Sequence, residues 1–126
     1  MVAAGFGADN MVSLSGATMT GTLTLQGTPP LLVYGNVDVA QAGSGLMVAE
    51  GTNAKQGTFS LNGTTAVVVS NTSVTANSRI FLTIQSPVGT PGSPYVSARS
   101  AGASFSAKST VSGDTSLCAY EIIEPG

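Results

Sequence analysis

Apolar and polar residues alternate in short runs along most of this chain, and turn residues separate the runs. From Arg79 to Gln85, Ile80, Leu82 and Ile84 fall on one face while Phe81 and Thr83 take the other, the two-residue period of a half-covered strand. Tyr95 to Arg99 forms a further short run, and Ala103, Phe105 and Ala107 then alternate with Ser104, Ser106 and Lys108. A turn at Ser112 to Thr115 leads into a last strand over Ser116 to Ile123. The segment Thr58 to Ser70 contains Asn62-Gly63, a pair suited to the positive φ values of a type I′ turn, so its two arms are expected to fold back on each other. The second arm, Thr65 to Ser70, carries three consecutive valines and predicts a strand covered on both faces. Shorter strands are expected upstream at Thr22–Leu25, Leu31–Tyr34, Val37–Ala40 and Leu46–Ala49.

Helix has no comparable support, because Gly or β-branched residues interrupt every window of helical length. The pattern predicts an all-β fold, a small antiparallel β-sandwich of jelly-roll-like form preceded by an extended N-terminal arm or stem. Residues 1–44 are Gly-rich, with weak strands and the Pro29-Pro30 break, and read as the arm. Residues 45–126 hold the strong strands and read as the folded body.

Composition changes the picture in one respect. Charged residues make up 8% of the chain and hydrophobic residues 42%, where an ordinary soluble domain has about 25% charged residues. Such a surface of hydroxyls, amides and apolar atoms protects poorly against association. The expectation is therefore an oligomer that hides much of its exterior. The net charge of −2 and the scattering of Lys55, Arg79, Arg99 and Lys108 argue against nucleic-acid binding. No apolar run is long enough for a membrane span, and the first ten residues lack the basic and apolar regions of a signal peptide. Cys118 is the one cysteine, so it has no internal disulfide partner and reads as a small buried hydrophobe in a strand.

The run Gly45-Leu-Met-Val-Ala-Glu-Gly-Thr-Asn-Ala-Lys-Gln-Gly57 is followed by Val69 to Thr83, by Gly89-Thr-Pro-Gly92, by Tyr95-Val-Ser-Ala-Arg99 and by a closing Ala119-Tyr-Glu-Ile-Ile-Glu-Pro125. In that order these segments resemble a β-rich C-terminal domain of virion surface proteins in tailed phages and prophages, over about two-thirds of the chain. Ser15-Gly-Ala-Thr-Met-Thr-Gly-Thr-Leu-Thr-Leu25 resembles the short Gly-Thr-Met-Thr-Gly repeat of phage tail-fibre shafts. The resemblance implies a homotrimer without cofactor, displayed on a fibre or spike, with Thr18, Met19, Thr20 and Gly21 in a trimeric stem. The shaft motif occurs once, which departs from an extended fibre. A frame of this size starting at Met1 suits a short spike or a capsid-decorating protein.

Catalytic material is sparse. Histidine is absent, which removes the usual general base and the commonest zinc ligand. Six carboxylates remain, and Glu121 and Glu124, three positions apart, point to opposite faces of a strand. The expectation is a protein that is not an enzyme and holds no metal or cofactor. Two regions stand out for binding. Ser86 to Tyr95 is the longest turn-rich loop between two of the expected strands, and Pro91, Ser93, Tyr95 and Arg99 there are candidates for contacting a host-surface glycan, with Tyr95 stacking on a sugar and Arg79 or Arg99 donating. The alternative is that its prolines stiffen a connection, with Arg79 and Arg99 pairing Glu50 or Glu121 at a subunit contact. In the arm, Phe6, Met11 and Leu14 read as anchors laid into grooves of a major capsid protein or other virion protein, or as an ordinary first strand. The first expectation for function is a homotrimeric capsid-decoration or head-spike protein of the virion. The second is a receptor-binding tip of a tail fibre.

Overall fold

The computed structural model describes residues 21, 22, 24, 26, 31 and 33–126. The chain divides into two units, Met1–Ser44 and Gly45–Gly126, and every strand among the described residues lies in the second. There are six: β1 (Gln56–Ser60), β2 (Val67–Ser70), β3 (Arg79–Ser86), β4 (Pro94–Ser100), β5 (Ser104–Ser109) and β6 (Leu117–Ile123). They form two three-stranded antiparallel sheets, ordered β1-β6-β3 and β2-β5-β4. No described residue is helical. The body is thus the small all-β sandwich that the alternation predicts.

The pairing is nested. The first strand lies beside the last and the second beside the fifth, while the third and fourth flank them as the far edges of their sheets. A folded-over chain wrapped into two layers gives this arrangement, a jelly roll shortened to six strands. Four of the five connections therefore carry the chain from one sheet to the other, and only β4–β5 is a hairpin.

Alternation places the core where the sequence puts it. On β5, Phe105 and Ala107 are buried, and on β6 so are Cys118, Tyr120 and Ile122. Phe59 and Ile80 and Leu82 add to the layer from the first sheet, Val69 from the second, and Val74 closes it from the β2–β3 loop. Phe105 meets Tyr120 edge to face at 5.2 Å and Phe59 at 6.0 Å, so three rings from both sheets share one cluster. Gly57 sits opposite Tyr120 in the β1–β6 register, and a Cβ there would fall 2.8 Å from the ring's hydroxyl oxygen. The missing side chain lets the ring lie over the strand.

Three local expectations are corrected. A turn does form at Asn62–Thr65, with the Thr65 amide donating to the Asn62 carbonyl at 3.0 Å. Its arms do not pair, because β1 joins one sheet and β2 the other. Only Gly63 has positive φ there (+56°), so the turn is not type I′. Gly63 instead donates to the Asp114 carbonyl and accepts from the Ser109 amide, at 2.7 and 2.8 Å, and these bonds draw the chain across between sheets. The valine strand is covered on one face only: Val67 and Val69 face inward, and Val68 stays exposed. Upstream, Val37–Ala40 and Leu46–Ala49 are not strands, and Val37, Val39, Leu46 and Met47 are exposed, so alternation there has no buried face to serve. Leu31, Val33 and Tyr34 are likewise outside any strand, and Thr22–Leu25 lies partly beyond the described residues.

Phe105→Ala removes the ring common to both close aromatic contacts, and its site has no exposure through which to relax. Loss of about 3–5 kcal/mol is expected in equilibrium denaturation, with the midpoint shifted and the slope unchanged.

Candidate recognition surface

The β3–β4 connection, residues 87–93, carries Pro87, Gly89, Pro91 and Gly92, and the structure shows what holds it. Thr90 donates its amide to the Gly113 carbonyl at 3.0 Å, and Thr115 donates to the Val88 carbonyl at 3.1 Å. The Val88 amide donates to Ser116 Oγ at 3.1 Å. Ser93 and Thr110 exchange two bonds: the Ser93 amide to Thr110 Oγ1 at 3.0 Å and the Thr110 amide to the Ser93 carbonyl at 3.1 Å. The loop is zipped to the 110–116 turn along its whole length.

Asp114 is the hub of that zipper. It is completely buried. Oδ2 accepts from the Ser109 hydroxyl at 2.6 Å and the Gly92 amide at 2.9 Å, and Oδ1 accepts from the Ser116 amide at 3.0 Å. Bonds from Ser109, then from Ser116, with the Gly92 amide adding to them, hold its carboxyl far below the usual carboxylate range despite burial. The charged form is the one the site is built around.

A second carboxylate does the same work at the opposite end of β3. Glu124 accepts from Lys55 Nζ at 2.7 Å, from Thr75 Oγ1 at 2.7 Å and from Ser78 Oγ at 2.5 Å. Lys55 also donates to the Ser73 carbonyl at 2.7 Å. The Lys55 bond first, then the hydroxyls of Ser78 and Thr75, hold Glu124 down to about 2. The ion pair among the described residues is Lys55–Glu124.

The candidate binding residues divide between surfaces. Pro91 and Ser93 are exposed in the clasped loop, and Tyr95 follows on the outer face of the second sheet, directly across from Lys108. A β-bulge between Val96 and Ala98 then shifts the register. It brings Arg99 into the row of Phe105, where Nε donates to the Ser78 carbonyl at 2.8 Å. Tyr95 and Arg99 thus sit on opposite faces, and Arg79 belongs to the other sheet, across from Ile123. Lys108 was not among the sequence candidates. Its place beside Tyr95 follows from register, which alternation within one strand does not reveal. Phe6, Met11, Leu14, Thr18, Met19 and Thr20 lie outside the described residues, and Gly21 is an exposed bend.

The described residues form no pocket and no cluster of metal-ligating side chains. Cys118 is fully buried in β6, as its sequence context predicts, and burial pushes its thiol up.

Glu124 has a depressed folded value, so its contribution to stability is present above its ordinary value of 4.5 and is lost as pH falls towards 2. Glu124→Gln is expected to melt below the parent at pH 7, and the gap should close between pH 4.5 and pH 2 in a thermal series.

A family described as the K1 capsule-specific polysaccharide lyase, C-terminal domain, matches residues 53–123, more than half of the chain and all six strands. No curated protein and no solved structure matches. The match fits the phage β-rich C-terminal domain that the sequence resembles. With an all-β body spanning the matched residues and its loops tied down around Asp114 and Glu124, the chain belongs to the K1 capsule-specific polysaccharide lyase C-terminal domain family.

Proposed function

We propose that this chain is a non-catalytic, homotrimeric structural domain of a phage tail spike, placed where the virion meets the host's polysaccharide coat. The observation that carries this reading is the family match over residues 53–123, whose description joins a capsule polysaccharide to a C-terminal domain. It supports the tail over capsid decoration, the other position open to a virion surface protein. A non-catalytic role is supported by how the carboxylates are used: Asp114 and Glu124 are each saturated by three internal donors that favour their charged forms. A general acid needs the reverse, a carboxyl that keeps its proton near neutrality.

Association is supported by the outer face of the first sheet. Phe81 is 56% exposed there, and Ile123 and Leu117 are exposed on the neighbouring strand. An uncovered ring with two uncovered aliphatic side chains, beside Arg79 and Glu121 on the same face, favours self-association. We infer that this face forms the seam between copies.

Gold-labelled antibody against the chain on intact virions is expected to mark the tail, and labelling of the head would return the protein to capsid decoration. Sedimentation of the purified chain should give a mass three times 12.5 kDa. Phe81→Glu, which places a charge on the seam, should reduce that mass to one subunit while leaving the far-ultraviolet dichroism unchanged.

A further inference from the structure

We propose that the outer face of the second sheet, led by Tyr95 and Lys108, is a binding surface for an acidic polysaccharide. The proposal rests on the tail-spike reading above and adds the face, its residues and the charge of the ligand.

Tyr95 and Lys108 are direct cross-strand partners in the β4–β5 register. Their side chains stand on one face about 5 Å apart at Cβ. Their neighbours along each strand face the other way: Ala107 and Ser109 are buried on either side of Lys108, and Pro94 and Val96 are half-buried on either side of Tyr95. Tyr95 is 45% exposed. It offers a flat apolar surface with a hydroxyl at its rim, the amphipathic combination that suits a sugar ring.

Charge selects the polymer. The chain is net negative, yet the three strands of this sheet carry Arg99 and Lys108 and no carboxylate. Arg99 is turned to the other face by the bulge and engaged with Ser78. Lys108 makes no ion pair among the described residues. An unpaired ammonium on a face without acids attracts an anion. Beyond it, Ser104 and Ser106 of β5 and Ser100 of β4 fall on the same face and supply hydroxyl donors and acceptors.

Shape and rigidity agree. The described residues form no pocket, and an open sheet face admits a long chain that crosses it, where a compact ligand would need a cavity. The residues are also held in place beforehand. Ser93 and Thr110 exchange two bonds just before Tyr95. The bulge is pinned by the Ser97 hydroxyl, which donates to the Ser106 carbonyl at 3.2 Å. Little ordering remains to be done on binding.

The test uses the full chain against immobilised polysialic acid, hyaluronan and alginate as carboxylate-bearing polymers, with dextran as the neutral one. The parent is expected to retain at least one acidic polymer and not dextran, with retention falling as salt rises. Tyr95→Ala should weaken binding about tenfold or more, a loss near 1.4 kcal/mol. Lys108→Gln should weaken it and flatten its salt dependence, and Lys108→Arg should restore both. Each variant should keep the parent's melting temperature and subunit mass. Absence of binding to all three acidic polymers, equal binding to dextran, or parent-like binding by both Tyr95→Ala and Lys108→Gln overturns the proposal. Tail placement is read separately by gold labelling, so the two readings fail independently.

Discussion

Three rings hold the two sheets together, and most of the architecture follows from how little else there is to bury. Each layer is only three strands wide, so the interior is a single thin seam around Phe59, Phe105 and Tyr120. Narrow sheets leave their ends open, and a seam of this size cannot cover long crossover loops with apolar contacts. The loops are fastened by hydrogen bonds instead. Asp114 gathers one end and Glu124 the other, each acting as a charged acceptor for donors from separate segments. Charged acceptors make stronger bonds than neutral ones, which is how a chain with 8% charged residues makes heavy use of two of them.

This division between apolar centre and polar ends explains what could be read from sequence. Alternation in 79–86, 104–109 and 117–123 is a local signal, and it located those strands and their inward residues, Ile80, Leu82, Phe105, Ala107 and Cys118 among them. Pairing is not local. Asn62-Gly63 marked a turn correctly but said nothing of whether its arms would share a sheet, and the deciding bonds come from Ser109 and Asp114, about fifty residues away. The valines at 67–69 looked like a strand covered twice because the run does not disclose that one face has no neighbour.

The candidate surface was legible to the same degree. Tyr95 was visible as an aromatic residue beside a Pro- and Gly-rich loop, and that loop is indeed a defined structure between two strands. Arg99 looked like its companion because four residues along a regular strand return to the same face. A single extra residue at the bulge reverses that parity, and no composition or spacing rule announces it. Asp114 falls inside the turn that the sequence marks at Ser112 to Thr115, and by position it is a turn carboxylate. Its burial and its donors become apparent only once Gly92, Ser109 and Ser116 are brought around it in space.

The adjacency of β1 and β6 has a consequence for how such a body is used in longer polypeptides. Gln56 stands across from Glu121, so the backbone enters and leaves the sandwich on neighbouring antiparallel strands, at the same rim and about 5 Å apart. A module with entrance and exit side by side can be spliced into a host chain without stretching it, and removed with a short patch. Exchange between otherwise unrelated polypeptides then requires compatible flanks at one small spot.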